Sequence, residues 1–370
     1  MGGRQLCDLT LSNPTVCGFD YGGPAALAPL ADPCSLVYAP DARGLLRARQ
    51  AVADYYADHG ASVDPDQIVL TTSTSEGYSF LFRLLCDPGD EVLAAQPSYP
   101  LFDFLADLDD VRLAPYPLFY DHGWHIDFAA LEQAITGRTR AILLVHPNNP
   151  TGHFTAAEER RQMEEICIRH GLVMVVDEVF LDYGIFVGEG SFVGEGSFVG
   201  GEHPMLTFTL NGLSKIAGLP QMKAAWIVAQ GPEKTVLAEA LARLEVIADT
   251  FLSMNSPVMN ALPHWLESRG SIQRQILERI GVNYRRAVEI CAESGMMDVL
   301  RMEAGWSLIL KVPARGSDEE LALQLIQEQG VVVHPGSFYG MESGGRLVVS
   351  LIVPEEQFAR GLRQLAGHFA

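Results

Sequence analysis

The chain has 370 residues, 48% of them hydrophobic, and a formal net charge of -20. This length and apolar content predict a globular protein of two domains. The acidic balance argues against nucleic acid and against a membrane surface as partners, because an acidic protein is repelled by phosphate backbones and by anionic lipid headgroups.

The cysteines and the N-terminal segment give information about the cellular compartment. The six cysteines form no CxxC pair and no cluster with histidine at zinc spacing, so reduced thiols and no metal site are expected. The N-terminal MGGRQLCDLT lacks an apolar leader, and no window of eighteen apolar residues occurs. We therefore expect a cytoplasmic protein without a membrane span.

Short apolar runs alternate with helical stretches from about Asp66 to Gln230. The runs are QIVLTTS, EVLAAQP, RAILLVHP, LVMVVDEV, MLTFTL and AAWIVA. Apolar runs separated by helices predict an α/β fold, a three-layer arrangement with a mostly parallel sheet between helices. Ligands bind such sheets at the carboxyl ends of the strands, so the polar clusters that follow these runs are predicted to share one edge.

The pattern changes after Ser256. A long helical region continues to about Gly295, and VLRMEAGWSLILKV, VVVHPGS and RLVVSLIVPEE follow it. We interpret this part as a smaller α+β domain joined by the N-terminal segment. The predicted boundaries are 41–255 for the large domain and 1–40 with 256–370 for the small one.

One segment repeats itself. FVGEGS occurs twice and then as a fragment between Phe186 and Glu202. Two copies with a period of six cannot stack a solenoid core, so the segment is interpreted as a duplicated glycine-rich surface loop.

Two residues at strand ends could carry chemistry. Lys215 in NGLSK is either a surface lysine or a buried amine whose lowered pKa makes it a nucleophile toward carbonyl groups. Asp177 at the end of LVMVVD is either a helix N-cap or an acid that binds a protonated ring nitrogen.

Three further clusters lie at the same predicted edge. Ser73, Thr74 and Ser75 are either an N-cap or a phosphate site at a helix start. Asn149 in HPNNPTG is either a turn residue or a donor to a phenolate oxygen, and Tyr99 in QPSYP either packs on its prolines or stacks on a flat ring.

Together these groups supply the parts of a pyridoxal 5'-phosphate (PLP) site. The chain resembles the class I/II aminotransferases of PLP fold type I over nearly its full length. The resemblance is carried, in order, by SEGYSFLFRLLCDPGDEV, PSYP, NPTG, VVDEVF and LSKIAGLP.

The resemblance implies a role for each of these residues. Lys215 forms the Schiff base with the cofactor and then transfers the proton, and Asp177 pairs with the pyridine nitrogen. Asn149 binds the ring hydroxyl and Tyr99 stacks on the ring.

The same resemblance implies which residues bind the phosphate group of PLP. Ser73, Thr74 and Ser75 bind it, and Tyr38 in YAPDARG reaches the phosphate of a neighbouring subunit, which implies a homodimer.

Three positions depart from the family pattern. Phe180 stands where a tyrosine commonly donates to the ring oxygen. Lys223 stands where an arginine binds the phosphate, which keeps the charge and loses the bidentate geometry. Val348 aligns with the arginine that binds the substrate carboxylate. Arg346, two residues earlier in the same strand, is a candidate substitute on the same face or a surface arginine.

Other arginines could serve instead. Arg43 and Arg47 are candidates from the N-terminal part, or are residues on the exposed face of a helix.

The predicted function is a PLP-dependent aminotransferase that moves an amino group between an amino acid, or an amine, and a 2-oxo acid. A PLP-dependent lyase on the same scaffold is an alternative, because the groups around the substrate decide which bond breaks. The three departures also leave open a non-catalytic PLP-binding regulatory module.

Overall fold

The computed structural model describes residues 6–185, 196–232, 234–314, 316–342 and 344–369. In chain order, its strands are β1 Cys7–Asp8, β2 Ile68–Thr71, β3 Glu91–Gln96, β4 Arg112–Tyr120, β5 Trp124–Ile126, β6 Thr139–Val145, β7 Val173–Asp177, β8 Thr207–Gly212, β9 Ala225–Gln230, β10 Asp298–Val299, β11 Ser307–Lys311, β12 Val331–Val332, β13 His334–Pro335 and β14 Arg346–Ser350. Its α-helices are α1 Leu46–Asp58, α2 Thr74–Leu85, α3 Leu101–Leu108, α4 Phe128–Ala134, α5 Ala157–His170, α6 Leu213–Ile216, α7 Lys234–Phe251, α8 Ser256–Ser268, α9 Gly270–Ser294, α10 Asp318–Gln324 and α11 Glu355–His368. Within these ranges, no helix has the length and apolar character needed to cross a membrane.

The large sheet has the strand order β2-β9-β8-β7-β6-β3-β4-β5. Strands β4, β3, β6, β7 and β8 pair in parallel. Strand β2 runs in the same direction, because β9 is antiparallel to both β2 and β8. The predicted mostly parallel sheet is confirmed, and the carboxyl ends of its parallel strands lie at one edge.

The prediction missed β4 and β5 at the edge of this sheet. Strand β4 contains Pro115 and Pro117, which weaken the strand signal in the sequence. Strand β5 pairs with β4 only between Leu118 and Tyr120, so the outer side of the earlier residues has no strand partner in the described chain. Proline, which cannot donate to a ladder, is tolerated at such an edge.

Helices cover both faces of the large sheet. Successive residues of a strand face opposite sides. Accordingly, Ala141, Leu143 and Val145 of β6 belong to the core with α2, α3 and α7, whereas Ile142 and Leu144 belong to the core with α4 and α5. At the other end of the second face, β2 and β9 share a core with α1 and α8. The three predicted layers are thus present.

The C-terminal part forms a smaller antiparallel sheet of order β10-β11-β14-β13. Its core with α9 and α11 includes Cys7, Leu9 and Cys17, and β1 pairs with β12, so the N-terminal segment packs here. Helix α8 shares its core with α1 instead. The predicted domain boundaries stay a prediction. The boundary at residue 256 assigns α8 to the small domain, although this helix packs with α1 against the large sheet.

Most of the FVGEGS repeat lies outside the described residues, which resume at position 196. Its last copy is described. Phe198 and Val199 are 1% and 3% exposed and belong to the cores on the second face of the large sheet. This copy is therefore core, and the predicted surface loop is wrong for it.

Candidate active site

A cavity of about 450 Å³ lies where the parallel strands of the large sheet end. Residues of the small sheet and of the segment after β1 also line it. Eight of the predicted site residues line this one cavity: Ser73, Thr74, Ser75, Tyr99, Asn149, Asp177, Lys215 and Lys223. The geometry therefore brings together side chains that lie up to 150 positions apart (223 minus 73) in the sequence.

Lys215 lies on the four-residue helix α6, directly after β8. Gly212 allows the close approach of β8 to β9 here, because a Cβ at this position would lie 2.9 Å from the carbonyl oxygen of Ala224. Tyr183 donates its hydroxyl to the carbonyl oxygen of Lys215 at 2.6 Å. The backbone that carries the lysine is thus fixed on two sides.

The amine of Lys215 lies between aromatic rings. Its Nζ is 4.8 Å from the ring centroid of Trp306 and 5.5 Å from that of Phe180. Burial lowers the pKa of Lys215 to about 8, against the opposing effect of the Asp177 charge. At pH 7 roughly a tenth of this amine is then in the unprotonated, nucleophilic form, far more than for an ordinary lysine.

Asp177, at the end of β7, is 5% exposed. Its Oδ1 accepts from the backbone N–H of Val179 at 3.0 Å, and its Oδ2 accepts from the Tyr78 hydroxyl at 2.7 Å. Burial raises the pKa of Asp177, while these two donors and the charge of Lys215 act against that rise. The carboxylate is therefore held in a fixed orientation, and a cationic partner in the cavity would stabilise its charge.

The hydroxyl cluster lies at the start of α2. Ser73 is the N-cap, and its Oγ accepts from the N–H of Glu76 at 3.1 Å. Glu76 in turn accepts from the N–H of Thr72. Ser73 therefore caps the helix, which is one of the two predicted roles of this cluster. Thr74 and Ser75 also line the cavity beside the first turn of the helix.

Asn149 and Tyr99 approach the cavity from two loops. Oδ1 of Asn149 accepts from the hydroxyl of Ser307 at 3.0 Å, which joins the loop after β6 to the small sheet. Tyr99 is 44% exposed, and its ring lies edge-on to Phe102 with centroids 6.0 Å apart.

All three departures from the family pattern, Phe180, Lys223 and Val348, line the cavity. Lys223 has φ 55° and ψ 60°, a left-handed conformation that is uncommon for a lysine. Phe180 packs against Trp306, with centroids 5.6 Å apart, and offers no hydroxyl.

The arginine candidates lie elsewhere. Arg346 donates to the carbonyl oxygen of Gly345 and is not among the described residues that line the cavity. Arg43 pairs with Glu245. The remaining two predicted or candidate residues also lie outside this lining: Arg47, which pairs with Asp32, and Tyr38, which is 81% exposed.

Sequence analysis missed several residues of the cavity. Tyr78 appeared only as part of an amphipathic helix, although a polar tip on the buried face of α2 was a usable signal. His334 and Ser350 lie on strands of the small sheet and Trp306 directly precedes β11, and no local motif marked these three residues.

Comparison with known proteins identifies the family. Residues 32–365 match the family model described as aminotransferase class I and II. The chain belongs to this family. This confirms the predicted aminotransferase function. It also confirms the predicted fold, which is PLP fold type I.

Relatives among the aminotransferases match almost the whole chain. Alanine aminotransferase of Mycobacterium tuberculosis is 27% identical over 376 residues, which cover 99% of this chain and 86% of the relative. Arginine–pyruvate transaminase AruH of Pseudomonas aeruginosa is 28% identical and covers 98% of this chain and 90% of the relative. Among solved structures, tyrosine aminotransferase from Leishmania infantum superposes with a TM-score of 0.89 at 19% identity, over 100% of this chain and 92% of that one.

Proposed function

We propose that this aminotransferase binds PLP in the cavity and moves an amino group between an amino acid, or an amine, and a 2-oxo acid. The observation that carries the proposal is that Lys215, a half-buried residue whose pKa burial lowers, lies in one cavity with the buried Asp177 carboxylate. The name of the arginine–pyruvate transaminase supports a 2-oxo acid as acceptor.

The cavity residues fit this cofactor. Asp177 is a buried carboxylate that lacks a cationic hydrogen-bond partner in the described chain, and a protonated pyridine nitrogen would supply one. Thr74 and Ser75 offer hydroxyls beside the first turn of α2, whose unpaired N–H groups favour a phosphate. Lys223 adds a positive charge to the same cavity.

When bound, PLP supplies an electrophilic carbonyl carbon and a ring that withdraws electrons from the substrate carbon. The protein supplies the remaining chemistry. Lys215 would hold the cofactor until the substrate amine replaces it, and its freed Nζ would then be placed to move a proton at the substrate carbon. Asp177 would pair with the protonated ring nitrogen, and the donors from Tyr78 and Val179 favour the charged form of Asp177 and fix its orientation.

We also propose a homodimer in which Tyr38 enters the partner's site. Leu36, Val37 and Tyr38 are 89%, 65% and 81% exposed, an apolar run that a second subunit would cover. All six cysteines are free, which supports the predicted cytoplasmic location.

The test uses the small number of lysines. The chain has four, Lys215, Lys223, Lys234 and Lys311, so borohydride reduction of the PLP-loaded protein followed by peptide mass analysis identifies the modified lysine directly. We expect the label on Lys215. Addition of single L-amino acids without a 2-oxo acid should then produce pyridoxamine phosphate.

Lys215→Ala tests the catalytic role, and Lys311→Ala is the matched control because Lys311 is exposed. Lys215→Ala should abolish turnover while Lys311→Ala retains it. A label on another lysine, or turnover that survives Lys215→Ala, would contradict the proposal. Cofactor loading without conversion of any amino acid or amine would favour the non-catalytic module.

A further inference from the structure

One wall of the cavity is formed by paired strands of the small sheet. His334 of β13 pairs with Val348 of β14, and Ser350 of β14 pairs with Ser307 of β11. Val348 and Ser350 are two residues apart and therefore lie on the same face of β14. All four residues line the cavity.

This wall contains the remaining basic side chain. The basic residues among the described residues that line the cavity are Lys215, Lys223 and His334. The proposed function assigns Lys215 to the reacting carbonyl and Lys223 to the phosphate. A 2-oxo acid also carries a carboxylate next to the reacting carbon, and His334 is the one of the three that is left to bind it.

The hydrogen bonds of His334 leave one ring nitrogen available. Nδ1 lies 3.0 Å from the hydroxyl oxygen of Tyr339, which fixes the ring orientation. Within the described chain, Nε2 has no hydrogen-bond partner. A histidine held at one nitrogen presents the other as a directed donor to an anion.

Ser350 supplies a second donor on the same wall. The residue is 5% exposed, and its hydroxyl has no hydrogen-bond partner among the described residues. A buried unpaired hydroxyl is unfavourable and calls for a ligand or water. Ser307 is different, because its hydroxyl is already donated to Asn149.

We infer that His334, the cross-strand partner of Val348, and Ser350, two residues farther along β14, bind the carboxylate of the substrate in place of an arginine. This inference rests on the proposed function. It makes the wall formed by β13 and β14 a specificity element that selects 2-oxo acids and amino acids over aldehydes and amines. Because an imidazole and a hydroxyl bind a carboxylate less firmly than a guanidinium fork, the selectivity is moderate and depends on protonation.

The charge of His334 depends on its surroundings. Burial lowers its pKa, and the charge of Asp8, which precedes the turn after β1, acts in the opposite direction. The hydroxyl of Tyr339 contacts Nδ1, and Lys215 lines the same cavity. A carboxylate bound beside the ring favours the imidazolium form, so its binding takes up a proton and weakens as the pH rises.

The experiment compares substrates with and without the carboxylate. The PLP enzyme is converted to its pyridoxamine phosphate form and mixed, in single turnovers, with pyruvate or acetaldehyde and with phenylpyruvate or phenylacetaldehyde. Variants are His334→Ala, His334→Gln and Ser350→Ala, with His264→Ala as the control because His264 is exposed and lies outside this cavity.

His334→Ala should lower the second-order rate constant for the 2-oxo acids by about tenfold to hundredfold, the effect of losing a hydrogen bond to a charged group. Its rate constants for the aldehydes should change by less than about twofold, because the aldehydes lack the bound group. Ser350→Ala should also lower the 2-oxo acid values, by about tenfold, because its hydroxyl would donate to the charged carboxylate. His334→Gln should recover part of the loss, and His264→Ala should match wild type.

A pH series provides a readout that a purely structural role would not change. The ratio of the 2-oxo acid to the aldehyde rate constant cancels the titration of Lys215 and Tyr339, since both substrates react through the same groups. This ratio should fall with rising pH in the wild type and stay flat in His334→Ala and His334→Gln.

Three results would overturn the inference. The first is an equal loss of rate constant for 2-oxo acids and aldehydes, and the second is no loss in His334→Ala or in Ser350→Ala. The third is a wild type that reacts with aldehydes and not with 2-oxo acids. The borohydride label on Lys215 separates these failures from a failure of the proposed function. If Lys215 is labelled and the aldehydes react, the PLP site is established, and only the carboxylate assignment fails.

Discussion

Tyr78 donates its hydroxyl to Oδ2 of Asp177 at 2.7 Å, and the two side chains are 2% and 5% exposed. The tyrosine comes from α2 and the aspartate from the end of β7. Hydrogen bonds to a buried carboxylate favour its charged form, so α2, which begins at the hydroxyl cluster, also affects the ionisation of the acid proposed to pair with the cofactor.

Tyr78→Phe should therefore weaken cofactor binding. The substitution keeps the ring that packs edge-on against Phe102 and removes the donor, so the pKa of Asp177 rises further and its pairing with a ring nitrogen weakens. We expect the Kd for PLP to increase by about tenfold, as for the loss of a hydrogen bond to a charged group. Equilibrium titration by protein fluorescence measures this Kd.

Tyr116→Phe is the matched control for this experiment. Tyr116 is also fully buried, and its hydroxyl donates to the carbonyl oxygen of Leu143 at 3.2 Å, away from Asp177. Both variants lose one buried hydrogen bond and should lose similar stability. If both change the Kd equally, the Tyr78 hydroxyl has no specific effect on the cofactor site.

The residues that sequence analysis located are those that follow a strand directly. Asp177, Lys215 and Asn149 each come within a few positions of a buried apolar run, and parallel strands bring such positions to one edge. Their proximity needs only the sheet direction, which the alternation of apolar runs and helices predicts. This is why the site residues at the edge of the large sheet could be predicted from local sequence patterns.

The residues that the small sheet contributes to the cavity could not be predicted in this way. His334 lies opposite Val348 only because β13 and β14 pair in one particular register. A shift of one residue would move every side chain to the other face, and the two residues of β13 give too short an alternation to fix the register from the sequence. Arg346 shows the same limit: alternation puts it on the face of Val348, but it lies at the strand end, outside the cavity lining.

Glu178 gives the fold a dependence on pH. It is fully buried, its Oε2 accepts from the Ser197 hydroxyl at 2.7 Å, and its Oε1 accepts from the N–H of Phe198. Burial raises the pKa of Glu178 from its ordinary 4.5 to about 7. A raised carboxyl pKa stabilises the fold fully below the ordinary value, and this stabilisation is lost as pH rises through about 7.

Glu178→Gln should remove this dependence. The amide can accept from Phe198 and donate to Ser197, so it mimics the protonated acid at every pH. The difference between the two pKa values corresponds to roughly 3 kcal/mol, which the wild type loses as the pH rises from 4.5 to about 7 and the variant keeps. Urea unfolding across this range measures it, with the exposed Glu267→Gln as control. Parallel slopes for wild type and Glu178→Gln would refute the prediction.

Lys223 combines a charge with a strained backbone. Because its φ is 55°, replacement by glycine relieves the left-handed conformation, whereas replacement by alanine does not. Both variants should lose PLP affinity to the same extent, since both lose the ammonium. Lys223→Gly should be more stable than Lys223→Ala by about 1 kcal/mol. Unequal Kd values would show that the backbone, not the charge, holds the phosphate.

His153 links the loop after Asn149 to the segment before Trp306. Its Nε2 lies 2.8 Å from Glu159, and its Nδ1 lies 3.7 Å from Glu303. Burial lowers the pKa of His153, but the two carboxylates outweigh burial and raise it from 6.5 to about 9. The charged pair therefore stabilises the fold fully below about pH 6.5, and this contribution, roughly 3 kcal/mol at most, is lost as pH rises through 9.

His153→Gln should accordingly destabilise the protein most at pH 6, and the difference from wild type should shrink by pH 9.5. Urea unfolding at these two pH values measures the change. His125→Gln is the control, because the His125 ring lies 6.4 Å from that of His153 and the residue is exposed. The loss from His153, between pH 6.5 and about 9, lies mostly above the loss from Glu178, between pH 4.5 and about 7, so one series of curves separates the two titrations. A His153→Gln deficit that is constant from pH 6 to 9.5 would mean that lost packing, not charge, destabilises the variant.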